Sequence, residues 1–378
     1  MIPQAPQILA TQKSALKWPP NSQLVGLRLT LQPNQADSLS VQYAVGLHAW
    51  LLNQVKQDDP ALATKMHDNQ TEKSFSISRF HSLTFDRTQS LTISPSHTYE
   101  WQINGFSSPF VQWLSHWVKR QPKRLHLYQQ TWQIKAIAIA LTATTYSTLW
   151  SRRQTQSISL SFLSPTSFRR HGHHIPLPNP PHLLASYLRR WNQFAPRTFD
   201  PAPFLDWVDQ HVMISRHELK TTRTTAGKQG LFTGFLGNIE LVLDASAQQK
   251  PDFVRLFYAL CRLAPYCGTG HKTTHGLGYT RLGWSKAWMD HLPAVAETAL
   301  AERIQSLSDF FLSQKKRQGG DRGRKSAELW ATVYARHERG ESLVAIAQEL
   351  EIPYQSVKTY SKLANRALQS GGASYPHD

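Results

Sequence analysis

The chain has 378 residues, enough for two or three domains, and 40% of them are hydrophobic, with twelve tryptophans to fill the cores. Lysine and arginine (42) outnumber aspartate and glutamate (25), a formal charge of +17 that marks a nucleic-acid binder; a membrane-surface protein is the weaker class, because no basic amphipathic terminus gathers the charge. The longest apolar run, Ile134 to Ala143, is broken by Lys135 and too short for a bilayer, no signal-peptide pattern opens the chain, and Cys261 and Cys267 make no disulfide framework or zinc-finger spacing, so a cytoplasmic protein is expected.

Residues 1–21, rich in Gln, Pro and Ser and without periodicity, read as a flexible arm. Leu24 to Leu31 is aliphatic and reads as a strand. Val41, Ala44, Val45, His48, Leu51, Leu52 and Val55 recur at helical spacing, and Asp58-Asp59-Pro60 ends or turns that helix. Phe75 to Phe80 and His97 to Ile103 alternate as half-buried strands. Pro109 to Val118 reads as a short helix with an aromatic face, and Leu125 to Leu141 holds one or two more strands. The order βαββαβ across residues 22–145 is a ferredoxin-like unit, whose sheet leaves one face open for RNA.

A second unit of the same order occupies residues 146–286. Its strands are expected at Ser157 to Phe162, Val208 to Lys220, Gly230 to Leu243 and Leu277 to Trp284, its helices at Pro181 to Phe194 and Pro251 to Ala264. Residues 287–325 combine a helix (288–313) with a basic, glycine-rich linker from Lys315 to Lys325. Residues 326–369 hold three helix candidates, Ala327 to Arg336, Ser342 to Leu350 and Gln355 to Leu368. The stretch Leu343 to Lys358 resembles a helix-turn-helix, with Ala347 at the crossing and Val357 where the recognition helix packs. Residues 370–378 read as a disordered tail. The expected fold class is α+β: two tandem ferredoxin-like (RNA-recognition-motif-like) βαββαβ domains and a small all-α, helix-turn-helix-like module.

Between the last helix and last strand of the second unit runs Gly268-Thr269-Gly270-His271-Lys272-Thr273-Thr274-His275-Gly276-Leu277-Gly278. Glycines permit close backbone approach, consecutive amides can form an anion nest, and Lys272 and the threonines add donors, so phosphate is the natural guest. The glycine spacing is not that of a nucleotide P-loop. Arg169 and Arg170 follow a strand candidate and suit bidentate phosphate contact, beside His171, His173 and His174. Those histidines are spaced for chelation, but no neighbouring cysteine or carboxylate completes a metal set.

These stretches resemble the CRISPR-associated endoribonucleases that process repeat RNA, the sixth Cas family within the repeat-associated mysterious protein superfamily. The resemblance rests on the glycine-rich loop, on Pro60 to Asp68 with Phe75 to Ser78, on Ser164 to Arg170 with Pro176 to Pro178 and Arg190 to Asn192, and on Gly234 to Gly237, all in order over roughly residues 22–285. It implies metal-independent, cofactor-free cleavage of CRISPR precursor RNA, in which a ribose 2′-hydroxyl attacks the adjacent phosphate to leave 2′,3′-cyclic phosphate and 5′-hydroxyl ends. Mature guide RNA and CRISPR effector subunits are the implied partners, with the enzyme acting as a monomer or dimer. Such a step needs a base, a cation on the phosphate and a donor to the leaving oxygen.

The family pattern places a catalytic histidine and lysine at His67 and Lys73. One branch adds a tyrosine in the first helix, where this chain has Leu52, with Trp50 nearby. Other branches put the histidine in that helix, where His48 lies. His48 shares an apolar stripe with Leu51, Leu52 and Val55, the setting of a satisfied core histidine, so His48 and His67 stand as alternatives for the base. Arg28, Arg169, Arg170, Gly268, Gly270, His271, Lys272, Thr273, Thr274, Gly276 and Gly278 are the implied RNA contacts. Two other readings remain: a non-catalytic relative that retains guide RNA, motivated by the missing tyrosine, and a DNA-binding regulator, motivated by residues 342–368.

Overall fold

The computed structural model describes residues 16–39, 43–67, 72–80, 91–170, 173–225, 231–291, 295–314 and 321–370. The first domain runs β1 (Leu24–Pro33), β2 (Asp37–Leu39), α1 (Tyr43–Asp58), α2 (Pro60–His67), β3 (Phe75–Ile77), β4 (Leu91–Ile93), β5 (Tyr99–Gly105), α3 (Ser108–Lys119), β6 (Arg124–Leu127) and β7 (Gln130–Thr144). Its sheet has the antiparallel order β3-β5-β1-β7-β6, the ferredoxin-like arrangement with one added edge strand, while β2 and β4 form a separate ribbon. Alternation decides the faces. Leu27, Leu29 and Leu31 of β1 are buried under α1 and α3, and Arg28 points to the open face. Ser107 caps α3 by accepting from the Phe110 N–H, and its aromatic stripe joins Trp113 and Trp117 to Trp50 of α1.

The second domain follows as α4 (Tyr146–Ser151), β8 (Ser157–Thr166), β9 (Phe168–Arg170), β10 (His173–Ile175), α5 (Pro180–Phe194), α6 (Pro201–His211), β11 (Val212–Thr225), β12 (Leu231–Leu243), α7 (Pro251–Cys267) and β13 (Thr280–Leu282). Its sheet order, β11-β12-β8-β13, is again ferredoxin-like. Helix α7 is buried almost all round because its last turn inserts between the two domains. There the Ser76 hydroxyl donates to the Tyr266 carbonyl (2.8 Å) and the Asn104 amide to the Pro265 carbonyl (3.1 Å). Polar side chains of the first sheet thus satisfy carbonyls that a helix end leaves open.

Among the described residues, four helices follow: α8 (Val295–Ser313), α9 (Asp321–Glu338), α10 (Leu343–Leu350) and α11 (Tyr354–Ser370). Helix α8 lies along β11 and β12, and α9 packs on α8. Among the described residues no helix is long and apolar enough to cross a membrane.

Several expectations need correction. Val208 to His211 belongs to helix α6, not to a strand. Asp200 caps that helix, Pro201 opens it, and Phe204, Trp207 and Val208 bury one face, so strand structure begins only at Val212. Residues 321–325, expected as linker, are the first turns of α9, and the helix expected from residue 288 starts at Val295 after a short 3-10 turn at Ala287–His291. Of the expected arm, residues 1–15 lie outside the described residues, while Leu16 and Trp18 pack on the first core. Residues 371–378 also lie outside them.

Candidate active site

The glycine-rich loop is built from beneath. Gly270 has φ of +74° and a Cβ there would sit 2.2 Å from the Ser167 carbonyl; at Gly278 (φ +65°) it would sit 1.9 Å from that of Thr269. The buried Arg190 guanidinium of α5 spans the loop's base, donating to the carbonyls of Gly268 (3.3 Å) and Gly270 (2.6 Å), with Glu72 3.4 Å from its Nε. Tyr187 and Thr280 flank the Thr269 hydroxyl at 2.6 Å each.

This construction changes the reading of the loop. The amides of Gly268, Thr269, Gly270, His271, Leu277 and Gly278 all donate to protein acceptors, so they do not form the open anion nest expected from the glycines. Gly268, Gly270, Thr273, Thr274, Gly276 and Gly278 are buried and give the loop its shape. Charge is presented by Lys272, half-buried at a left-handed turn (φ +59°). Burial and the nearby Arg169 push its ammonium down to about 8, with Glu328 of α9 opposing the shift. Glu328 accepts from the Leu231 N–H at 3.3 Å.

His48 reaches this loop from the other domain. It is half-buried, not a core residue, and its Nδ1 lies 2.9 Å from the Thr274 carbonyl. A carbonyl only accepts, so Nδ1 carries the proton and the neutral ring's lone pair sits on Nε2. The ring stacks on His275 at 4.5 Å. Burial first, then the charges of His48, Lys272 and Lys73, hold His275 well below the ordinary histidine range. Lys73 and Lys272 thus both act electrostatically on His275. Lys73 Nζ donates to the Met66 carbonyl at 2.9 Å, the residue before His67. His67 ends α2, and its side chain lies outside the described residues. Leu52 and Trp50 are core residues, so no phenol stands where one branch of the family has its tyrosine.

Arg169 and Arg170 are exposed on β9. Beside them His174, His271 and Phe232 form an aromatic cluster, with the two imidazoles stacked at 5.1 Å. Burial lowers His271 to about 3 and His174 to about 4, which favours the neutral imidazole in both. Arg28 pairs with Glu100 at 3.5 Å, and both Arg28 and Arg281 act on the Tyr279 phenol between the two sheets. Both thiols are buried and pushed upward by burial, Cys267 to about 11, which removes them as nucleophiles. Among the described residues no three His, Cys, Asp or Glu side chains converge to hold a metal ion; His171 lies outside them.

Sequence reasoning assigned no role to His275, Arg190 or Glu328, although Arg190 lies in one of the stretches that carry the resemblance. His275 was visible as the loop's second histidine, but nothing in the sequence indicates which loop histidine faces α1.

Two family models match the chain: "CRISPR Cas6 N-terminal domain" over residues 24–153 and "CRISPR-associated endoribonuclease Cas6" over residues 160–280. Among solved structures, a Cas6 product complex superposes with a TM-score of 0.58 at 20% identity, covering 69% of this chain and 100% of that one. A second Cas6 product complex gives 0.54 at 21%, covering 69% and 99%. Cas6 from Thermus thermophilus gives 0.51 at 21%, again covering 69% and 99%. At such identities the likeness is one of fold. No curated protein matches the chain. Neither family model extends past residue 280, so α8 to α11 lie outside both. Two successive family models in their proper order, on two ferredoxin-like domains, place the chain in the Cas6 family of CRISPR-associated endoribonucleases.

Proposed function

We propose that the protein cleaves CRISPR repeat RNA at the junction of its two domains, by 2′-hydroxyl attack and without a metal ion. The observation that carries this reading is His48 of the first domain set against the glycine-rich loop of the second and stacked on His275, on which Lys73 and Lys272 both act electrostatically. His48 Nε2 takes the proton from the 2′-hydroxyl. The freed oxygen bonds to phosphorus, the bond from phosphorus to the 5′-oxygen breaks, and that oxygen leaves with a proton. Lys73 supplies positive charge to the crowded phosphate. Lys272, near 8, is protonated at neutral pH yet more acidic than an ordinary lysine, which suits it to protonate the leaving oxygen. Arg28, Arg169 and Arg170 hold the RNA backbone on either side.

Repeat RNA incubated with the protein in EDTA is cut once. The same RNA with 2′-deoxyribose at the cut site is bound and not cut. Tight binding of both without a cut would instead identify a guide-RNA-retaining relative, the reading favoured by apolar Leu52 in α1.

The lowered Lys272 also fixes a pH dependence. Its charge is present below about 8 and is lost as the pH rises through that value. Affinity for uncleavable RNA therefore falls roughly tenfold between about pH 7 and pH 9 at fixed ionic strength, the worth of one charge-assisted contact. Lys272→Arg stays charged across that range and flattens the profile.

A further inference from the structure

Cleavage at the domain junction gives no task to α10 and α11. They are two helices joined by a tight turn, the order expected of a helix-turn-helix. Helix α10 starts at a Ser342 cap and ends at Glu351 in the left-handed conformation (φ +51°). Residues 351–353 turn the chain, with the Ile352 N–H donating to Ala347 at 3.1 Å, and α11 begins at Tyr354. Val333, Ile346, Ala347, Leu350 and Val357 form the small core under the turn. Arg336, wholly buried in α9, pairs with Glu341 and Glu349 and fixes α10 against α9.

Helix α11 buries Val357, Ser361 and Ala364 and turns the opposite face to solvent. That exposed face carries Gln355, Lys358, Thr359, Lys362, Asn365 and Arg366, spaced three or four residues apart along one side. Seventeen residues of α11 contain three cations and no aspartate or glutamate. Thr359 and Asn365 donate to the Gln355 and Ser361 carbonyls of their own helix, while among the described residues the side chains of Gln355, Lys358, Lys362 and Arg366 make no hydrogen bond or ion pair, so the three cations are not spent inside the protein. The acidic residues that precede α11 in the chain are Glu349, paired with Arg336, and Glu351 in the turn. A row of cations with amide and hydroxyl side chains between them is the chemistry that grips phosphates and reads base edges.

We propose that α10 and α11 form a second nucleic-acid site, separate from the cleavage centre, which takes duplex DNA with α11 in the major groove. B-form DNA has a major groove wide enough for a helix, whereas that of A-form RNA is too deep and narrow for side chains to read. The site is held on the enzyme through α8 along β11 and the contact of Glu328 with Leu231, so one chain carries an RNA site and a DNA site.

The test uses the full-length protein, a random-sequence 30-base-pair DNA pool (about three helical turns) and an RNA duplex of equal length. Wild-type protein retains duplex DNA, and repeated selection converges on a shared sequence. Lys358→Glu with Lys362→Glu weakens DNA binding by about tenfold or more and lowers the salt slope by about two contacts' worth. RNA cleavage and the melting temperature stay unchanged, because both residues are exposed. Gln355→Ala keeps DNA affinity within a few-fold but blurs the selected sequence. Unchanged DNA affinity in the double variant overturns the proposal. So does preferential binding of the RNA duplex that is lost in the same variant, which would assign the stripe to an RNA stem.

Discussion

His48→Ala lowers the cleavage rate by about 10²–10⁴-fold, the usual contribution of a positioned general base, while leaving RNA affinity within a few-fold. The substitution also removes a hydrogen bond, since Nδ1 donates to the Thr274 carbonyl and ties α1 to the glycine-rich loop. His48→Asn separates the two effects. An asparagine amide reaches the position of Nδ1 and keeps the donor, but it has no basic nitrogen. Equal loss in the alanine and asparagine variants assigns the base to His48, read from single-turnover cleavage with RNA in excess of its Kd. Full activity in the asparagine variant, with loss in His67→Ala, moves the base to the end of α2, beside the Lys73 ammonium.

Arg190→Ala has the larger effect on the fold. The guanidinium is 5% exposed and joins the carbonyls of Gly268 and Gly270, the Ser186 hydroxyl and Glu72. Alanine takes the donor from the buried Gly270 carbonyl, leaves the Gly268 carbonyl only the weak Cys267 thiol at 3.3 Å, and opens an empty volume under the loop. The expected cost is about 3 kcal/mol, at the lower edge for a broken buried pair because Glu72 is itself partly exposed and keeps Arg189. Lysine rescues little, because one ammonium on a flexible stem cannot bridge both carbonyls as a planar fork does. Urea unfolding gives the stability change. Hydrogen exchange at residues 268–278 shows the loop opening first, and cleavage falls with it although no removed atom touches RNA.

Periodicity carried the reading wherever an element buries one face. Helices α1, α3 and α5 fall where apolar residues recur at helical spacing, because each lays that stripe on a sheet; α7 was legible too, although it is buried almost all round. It failed for α6, where Val208 to His211 looks like the start of a long strand; the Asp200 cap and the packing of Trp207 on Phe253 make it a helix. It failed again at residues 321–325, where a basic, glycine-containing stretch is helical because α9 is built on the apolar side of α8.

The sequence by itself determined the two βαββαβ units, the basic character, the family and the loop through which the second domain meets the first. Each of these depends on residue type and order, which are local and repeat with the period of the element. Only the tertiary structure decided that His48, 226 residues from Thr274 in the chain, leaves its apolar stripe to face the loop. It alone showed that His271 stacks on His174 and that His275 is the histidine stacked on His48. It also turned the amides of Gly268, Thr269, Gly270, His271, Leu277 and Gly278 toward protein acceptors and left the charge to Lys272. Burial and proximity across domains set those outcomes, and neither is written in the spacing of residues along one element.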